Sequence, residues 1–242
     1  MTKHLVIIPI FNDLVILKKT LKSYIVATDL RACETALIDD GSGKSTKKYL
    51  ENFIKQNSSI GLYRNRKNLG KPKSVNKIIQ THPGMDYYTI IDSDVKIFTR
   101  NWHEILLRAH KIWRSQAILG AELHLRGFLF KKGGMEFGDL FPFWTLPGGF
   151  FSIPGPVFKK LGYFYDKIRR HEDADYCRRA ASQNIRWYYT TDIKARGLPH
   201  VSVSRSRGYA KHKKREEKIY KKRAEYIMRT HRAYYNPFQK GI

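Results

Sequence analysis

Thr35-Ala36-Leu37-Ile38-Asp39-Asp40-Gly41-Ser42-Gly43 is the stretch that decides the fold. A short strand-like run breaks at once on two carboxylates and a glycine turn. The design recurs downstream, where the apolar run Tyr87-Tyr88-Thr89-Ile90-Ile91 ends at Asp92-Ser93-Asp94. Upstream, Leu5-Val6-Ile7-Ile8-Pro9 is continuously apolar, the pattern of a strand buried on both faces. Between these runs the spacing turns helical. Leu14, Leu17, Leu21 and Tyr24 share one face of a helix predicted over 13–24, with Asn12 or Asp13 placed to cap it. Further helices are predicted over 44–54 and 72–80, and a strand over 60–63. Strands alternating with helices imply right-handed crossovers and a parallel sheet covered on both faces. The predicted class is therefore α/β, with one mostly parallel sheet flanked by helices. Ligands of such sheets sit at the carboxyl ends of the strands. Both acidic clusters, Asp39/Asp40 and Asp92/Asp94, fall there.

Beyond Val95 the alternation is less regular. A helix is predicted over 101–113, one or two strands within 117–130, helices over 156–161 and 172–182, and a strand over 185–189. Residues 133–155 are rich in Gly, Pro and aromatics and read as ordered loops lining a pocket. From Arg205 the composition shifts to a basic tail, with Arg205, Arg207, Lys211, Lys213 and Lys214 crowded together. Within it Tyr220, Ala224, Ile227, Met228 and His231 share a helical face. The expected organisation is one domain over 1–204, in halves 1–95 and 96–204, and a basic helical extension over 205–242.

Composition narrows the class. In 242 residues, 42% hydrophobic and 13% aromatic content excludes a disordered chain. No apolar run reaches the roughly 18–20 residues of a membrane-spanning helix, and the N-terminus lacks the shape of a signal peptide. The two cysteines, Cys33 and Cys177, read as free thiols of a reducing compartment, so a cytoplasmic location is expected, a host cell's if the chain is viral. A net charge of +25 exceeds what solubility requires and asks for a polyanion or an anionic surface nearby.

Two familiar motifs fail on inspection. Gly41-Ser42-Gly43-Lys44-Ser45 resembles a phosphate-binding loop, but the glycine required five residues before Gly43 is Ile38. A dinucleotide fingerprint would need its third glycine at Thr46. What remains at Asp39/Asp40 is either a pair of acceptors for a nucleobase N–H or ribose hydroxyl, or a turn and helix cap. Asp92 and Asp94, at i and i+2 of a strand, would face one side and could meet a hard divalent cation, Mg²⁺ or Mn²⁺. His171-Glu172-Asp173 opens a helix as an acidic island among Arg169, Arg170, Arg178 and Arg179. A carboxylate at a pocket rim is what a general base requires. His200 would count as a metal ligand only if the chain returns to Asp94.

In order, these pieces resemble the family 2 glycosyltransferases of the GT-A fold, whose sheet is Rossmann-like. The matching strings are Val6-Ile7-Ile8-Pro9-Ile10-Phe11-Asn12, Leu37-Ile38-Asp39-Asp40-Gly41-Ser42, Asn68-Leu69-Gly70-Lys71 with Asn76, and Ile91-Asp92-Ser93-Asp94. They continue with Gly148-Gly149-Phe150-Phe151, Leu161-Gly162-Tyr163-Phe164, His171-Glu172-Asp173, and His200 with Ser202 and Ser204. The resemblance implies inverting, metal-dependent transfer from a nucleotide-sugar. It implies that Pro9, Phe11, Asn12, Asp39 and Lys71 hold the nucleotide, that Asp92 and Ser93 lie near the ribose, and that Gly148 and Gly149 admit the sugar. Asp94, with His200, would bind the metal, Asp173 would be the base, and Glu172 would position the acceptor. Two positions depart from the family pattern: Phe11 stands for the usual tyrosine and Lys71 for an arginine-like residue.

The acceptor is sought through charge. Arg64, Arg66, Lys67, Lys71, Lys73 and Lys77 form a basic stretch without an acid, and tyrosines interleave with the cations of the tail. DNA carrying hydroxymethylated bases, as for virus-encoded DNA-modifying transferases, is the favoured acceptor. The alternatives are a lipid-linked or surface glycan, with the tail on anionic lipid, and a non-catalytic nucleic-acid-binding protein on a transferase scaffold.

Overall fold

The computed structural model describes residues 2–123, 148–168 and 171–199, together with Lys222. Its first half is the predicted alternation: β1 (His4–Ile10), α1 (Leu14–Ala27), β2 (Glu34–Asp39), α2 (Lys44–Gln56), β3 (Ile60–Arg64), α3 (Lys71–Thr81) and β4 (Tyr87–Ile91). Then follow β5 (Val95–Ile97), α4 (Trp102–Ile112), β6 (Ile118–Leu123), β7 (Phe150–Pro154), α5 (Gly155–Leu161), α6 (Glu172–Ala181) and β8 (Trp187–Gly197). The eight strands form one sheet in the order β3-β2-β1-β4-β7-β6-β8-β5. The pairs β3–β2, β2–β1 and β1–β4 are parallel, as the crossover helices demand, whereas β7 enters antiparallel beside β4.

The continuous apolar run of β1 is explained by its central place. Val6, Ile8 and Ile10 pack on one face with Leu17, Leu21 and Tyr24 of α1 and Trp102 and Leu106 of α4. Leu5 and Ile7 pack on the other with Val75, Ile78 and Ile79 of α3 and with Val157 and Tyr176. Alternate side chains thus serve two cores, which is why no polar residue interrupts the run. A buried polar chain ties the sheet to α4: His4 Nε2 meets Thr89 Oγ1 at 2.8 Å, Thr89 donates to Ser152 Oγ at 3.0 Å, and Ser152 meets His110 Nε2 at 2.9 Å. Burial lowers both imidazoles to about 3, so both are neutral at ordinary pH.

Three expectations need correction. Residues 150–154, assigned from sequence to pocket-lining loop, form β7 at the centre of the sheet. Phe150-Phe151-Ser152-Ile153 is a strand-forming run hidden by its glycine- and proline-rich flanks. The last strand runs over Trp187–Gly197, not 185–189, because it pairs with both β6 and β5. Asp92-Ser93-Asp94 is not a strand end with side chains in register; it is a turn closed by Val95 N–H donating to Asp92 O at 3.1 Å. The predicted extension over 205–242 lies outside the described residues except for Lys222.

Candidate active site

The site is built where β1, β2 and β4 end. Asp39 closes β2 and is fully buried. Its Oδ1 accepts from Ser42 N–H at 2.8 Å, while its Oδ2 has no hydrogen bond and lies 3.6 Å from Arg64 Nε. Asn12, in a left-handed conformation at φ 56°, joins the neighbouring strand end to this turn. Its N–H donates to Ser42 Oγ and its Oδ1 accepts from Gly43 N–H, both at 2.8 Å. Phe11, half-exposed, stands beside it, while Pro9 lies buried within β1 opposite Ile38.

Asp40 does different work. Its Oδ1 accepts from Asn65 Nδ2 at 2.9 Å and Leu69 N–H at 2.8 Å, and its Oδ2 from Gly70 N–H at 2.8 Å. One buried carboxylate thereby fixes the loop that delivers Lys71 to the start of α3. Of the two readings left open for this pair, the turn-forming one describes Asp40 and the Oδ1 of Asp39, while Asp39 Oδ2 makes no hydrogen bond.

Lys71 is the hub of the second cluster. Its Nζ lies 2.6 Å from Asp92 Oδ1, 2.8 Å from Glu172 Oε1 and 3.0 Å from Gly148 O. Three chain segments, after β4, before β7 and at the start of α6, thus meet at one ammonium. Burial disfavours that charge, but Asp92 and Glu172 more than offset it and hold the lysine well above its ordinary range. Asp92 is pushed up to about 7, by burial first and then by Asp94 and Glu172, with Lys71 opposing. Glu172 is held below its usual range despite burial because Lys71 faces it.

Asp173 sits beside this hub and is half-buried. Its Oδ2 accepts from Gly148 N–H at 2.9 Å and its Oδ1 from its neighbour Ala174 N–H at 2.8 Å. Burial and the Glu172 carboxylate raise its pKa, and Lys71 and the two N–H donors hold the rise back. A carboxylate made more basic, yet fixed in orientation, is what proton abstraction asks for. Gly148 and Gly149 make this assembly possible. A Cβ on Gly148 would stand 2.9 Å from Asp173 Oδ2, and one on Gly149 2.9 Å from Leu123 Cδ1 and 3.2 Å from Val95 Cγ2. The carbonyl of Gly149 also accepts from Asp92 N–H at 2.9 Å, which ties the Asp92–Asp94 turn to the Asp173 side.

The two clusters stand at the same carboxyl end of the sheet, the edge that forms the candidate cleft. Asp39 is level with Ile10 of β1, and Ile90 of β4 is level with Ile7, so Asp92 follows the same strand on its opposite side. With one strand between them, the two aspartates lie roughly 10 Å apart, about two strand spacings. The sequence reading therefore brings together Asp39, Asp92 with Ser93 and Asp94, Gly148, Gly149, Glu172 and Asp173. It gave no sign of Lys71 as the link between the acids; only proximity in space shows that. Arg64 is engaged with Glu51 at 2.7 Å, whereas Arg66 and Lys67 are exposed. His200, Arg205, Arg207, Lys211, Lys213 and Lys214 lie outside the described residues.

For a divalent cation, Asp94 and Asp92 offer hard oxygen donors on an open turn. That set suits an ion bound by one or two carboxylates and completed by phosphate oxygens and water. Among the described residues no three His, Cys, Asp or Glu side chains cluster as a ready cage.

Residues 5–186 match the sequence profile of glycosyl transferase family 2. The chain belongs to that family. No curated protein sequence matches it. Among solved structures, it resembles GalNAc-T7, solved with UDP, GalNAc and Mn²⁺, at a TM-score of 0.69 and 16% identity over 84% of this chain and 45% of that one. It resembles the mannosyltransferase PcManGT from Pyrobaculum calidifontis, solved with GDP-Man and Mn²⁺, at 0.66 and 14% over 86% and 58%. It resembles S. aureus TarS at 0.62 and 18% over 82% and 37%. The family 2 chain thus spans well under two thirds of each of these structures, and at such identities the likeness establishes the GT-A fold. Among the described residues no helix is long and apolar enough to cross a membrane.

Proposed function

We propose that the chain is an inverting transferase that moves a sugar from a nucleotide-sugar, a UDP-sugar, to an acceptor hydroxyl. The observation that carries this is Asp173, fixed by Gly148 N–H beside the Lys71–Asp92–Glu172 hub with its basicity raised. Asp39 Oδ2, buried and without a hydrogen bond, is the acceptor left for a base N–H, and Phe11, exposed, follows Ile10, the strand partner of Asp39. The acceptor hydroxyl gives its proton to Asp173 as its oxygen bonds to the anomeric carbon. The bond from that carbon to the diphosphate breaks on the opposite face, so the configuration inverts and no protein nucleophile is needed. Asp94, joined by His200 in the family pattern, would hold Mn²⁺ or Mg²⁺, which neutralises charge on the departing diphosphate. Lys71 keeps Asp92 and Glu172 in place and their mutual repulsion low. That role differs from the nucleotide contact implied by the family resemblance.

For the acceptor, we favour a lipid-linked or surface glycan presented at an anionic membrane over hydroxymethylated DNA. The basic surface between α1 and β5 is apolar at its floor, and Arg64 is taken up by Glu51. The DNA reading keeps one observation: exposed Arg66 and Lys67 lie on the loop whose backbone packs against Gly41 at the cleft. The test is proton NMR of the product formed from an α-linked UDP-sugar with glycan and hydroxymethylated-DNA acceptors in parallel. A β-linked product on the glycan is expected. A retained α-linkage contradicts the mechanism, and transfer to DNA alone reverses the acceptor.

A further inference from the structure

Away from the cleft, α1 and the edge strand β5 enclose a groove of about 380 Å³ lined by Lys19, Lys22, Val26, Lys96, Phe98 and Arg100, among others. No acidic residue lines it. Among the described residues none of its four cations forms an ion pair, and all four are exposed. Of its apolar members Ala27 and Ile97 are buried and form the floor, whereas Val26 is 60% exposed and Phe98 51%, with Lys96 Nζ 5.0 Å from the Phe98 ring centroid. The stripe continues along α1 towards the cleft through Lys18 to Val15, which is 68% exposed. From Val15 to Val26 the helix rises about 16 Å.

We infer that this face docks on a bilayer carrying anionic phospholipid, with Val26 and Phe98 entering the interface and Lys19, Lys22, Lys96 and Arg100 meeting phosphate. Resting on the membrane-presented acceptor reading above, the inference places its contact surface. The pattern of cations around exposed apolar side chains is that of an interfacial contact, in which alkyl stems lie along lipid and the charges reach headgroups. Nucleic acid fits less well, since a valine has no face on which a base can stack and Phe98 is a lone aromatic. The chain's own C-terminal segment is strongly basic and would be repelled. Position supports the function: α1 begins two residues beyond Asn12 and β5 one residue beyond Asp94, so both elements that form the groove start at the cleft. A surface-bound molecule therefore holds its cleft alongside the membrane.

The test uses the full chain with Val26→Cys, Cys33 and Cys177 being buried, labelled with an environment-sensitive fluorophore. A second sample carries the label at Lys159→Cys, an exposed position on α5 across the sheet. Each is mixed with vesicles of phosphatidylcholine, vesicles of phosphatidylcholine with phosphatidylglycerol, and a short DNA duplex. The expected result is a blue-shifted, enhanced emission from position 26 with the phosphatidylglycerol vesicles only, and none from position 159. Replacing Lys22 and Lys96 together by Gln should weaken that response roughly thirtyfold, the effect of two cations near an anionic surface, while transfer to a soluble acceptor is unchanged. An unmoved probe at position 26 on protein that still sediments with vesicles would overturn the inference, as would an equal response at position 159 or with DNA. Transfer and inversion are read separately, so loss of the surface contact and failure of the transferase reading are distinguishable.

Discussion

The two acidic clusters look alike in sequence and are stabilised by opposite means. At the end of β2, Asp40 is satisfied by three N–H donors and Asp39 by one, with Arg64 Nε at 3.6 Å from the latter. Around the turn after β4 and the start of α6, Asp92 and Glu172 are held by one lysine and Asp173 by backbone N–H groups. Carboxylates satisfied by dipoles fix a loop and change little with charge state. Carboxylates that share a cation are coupled, so altering one alters the rest. In the proposed mechanism the first arrangement shapes the cleft and the second supplies its reactivity.

That contrast can be broken at several points. The proton acceptor Asp173 aside, the largest expected effect is on stability at the first cluster. Asp40→Ala strands three donors in a buried loop and should cost about 3 kcal/mol, whereas Asp39→Ala, losing one hydrogen bond, should cost about 1 kcal/mol. Urea unfolding of both variants checks this, and equal losses would mean that Asp40 does not anchor the loop. Slightly smaller is the effect of Lys71→Met, which leaves Asp92 and Glu172 facing each other. It should lower kcat about a hundredfold, within the range that a misplaced proton acceptor costs, while the KM for the donor stays nearly unchanged. Lys71→Arg should recover part of the loss. A rise in donor KM with normal kcat would return Lys71 to the nucleotide.

The smallest effect concerns pH and lies outside both clusters. His4 and His110 are lowered to about 3 in the fold, against an ordinary value of 6.5. The unfolded chain therefore binds protons that the folded chain refuses, and stability is full above about pH 6.5 and falls as pH drops towards 3. Between pH 7 and pH 6 the two histidines together should remove about 1 kcal/mol. His110→Gln should roughly halve that slope in denaturant titrations. An unchanged slope would mean that His110 is not buried neutral.

Much of this was legible in the chain. The apolar runs of β1, β2 and β4 and the helical spacing between them specify the parallel half of the sheet, because each strand there is covered by its own crossover helix. Asp39 and Asp173 could be picked out because polar residues at the ends of buried strands and helices stand out, whereas Gly148 and Gly149 came only from the family resemblance. What escaped was set by distant pairing. β7 is flanked by turn-forming residues that hide its strand-forming run, and it is fixed by pairing with β4 on one side and β6 on the other. β8 extends because two partners cover it. The Asp92–Asp94 turn and the role of Lys71 depend on segments 148–149 and 172–173 arriving from far along the chain.

The central claim, that Asp173 removes the acceptor proton, is tested most directly by Asp173→Asn. Turnover with a UDP-sugar and its acceptor and calorimetric UDP binding with Mn²⁺ are measured on the same preparation. The account predicts that turnover falls by about a thousandfold or more while UDP binding stays within about threefold of the parent, a change of well under 1 kcal/mol. Near-native turnover, or loss of turnover and binding together, would contradict it.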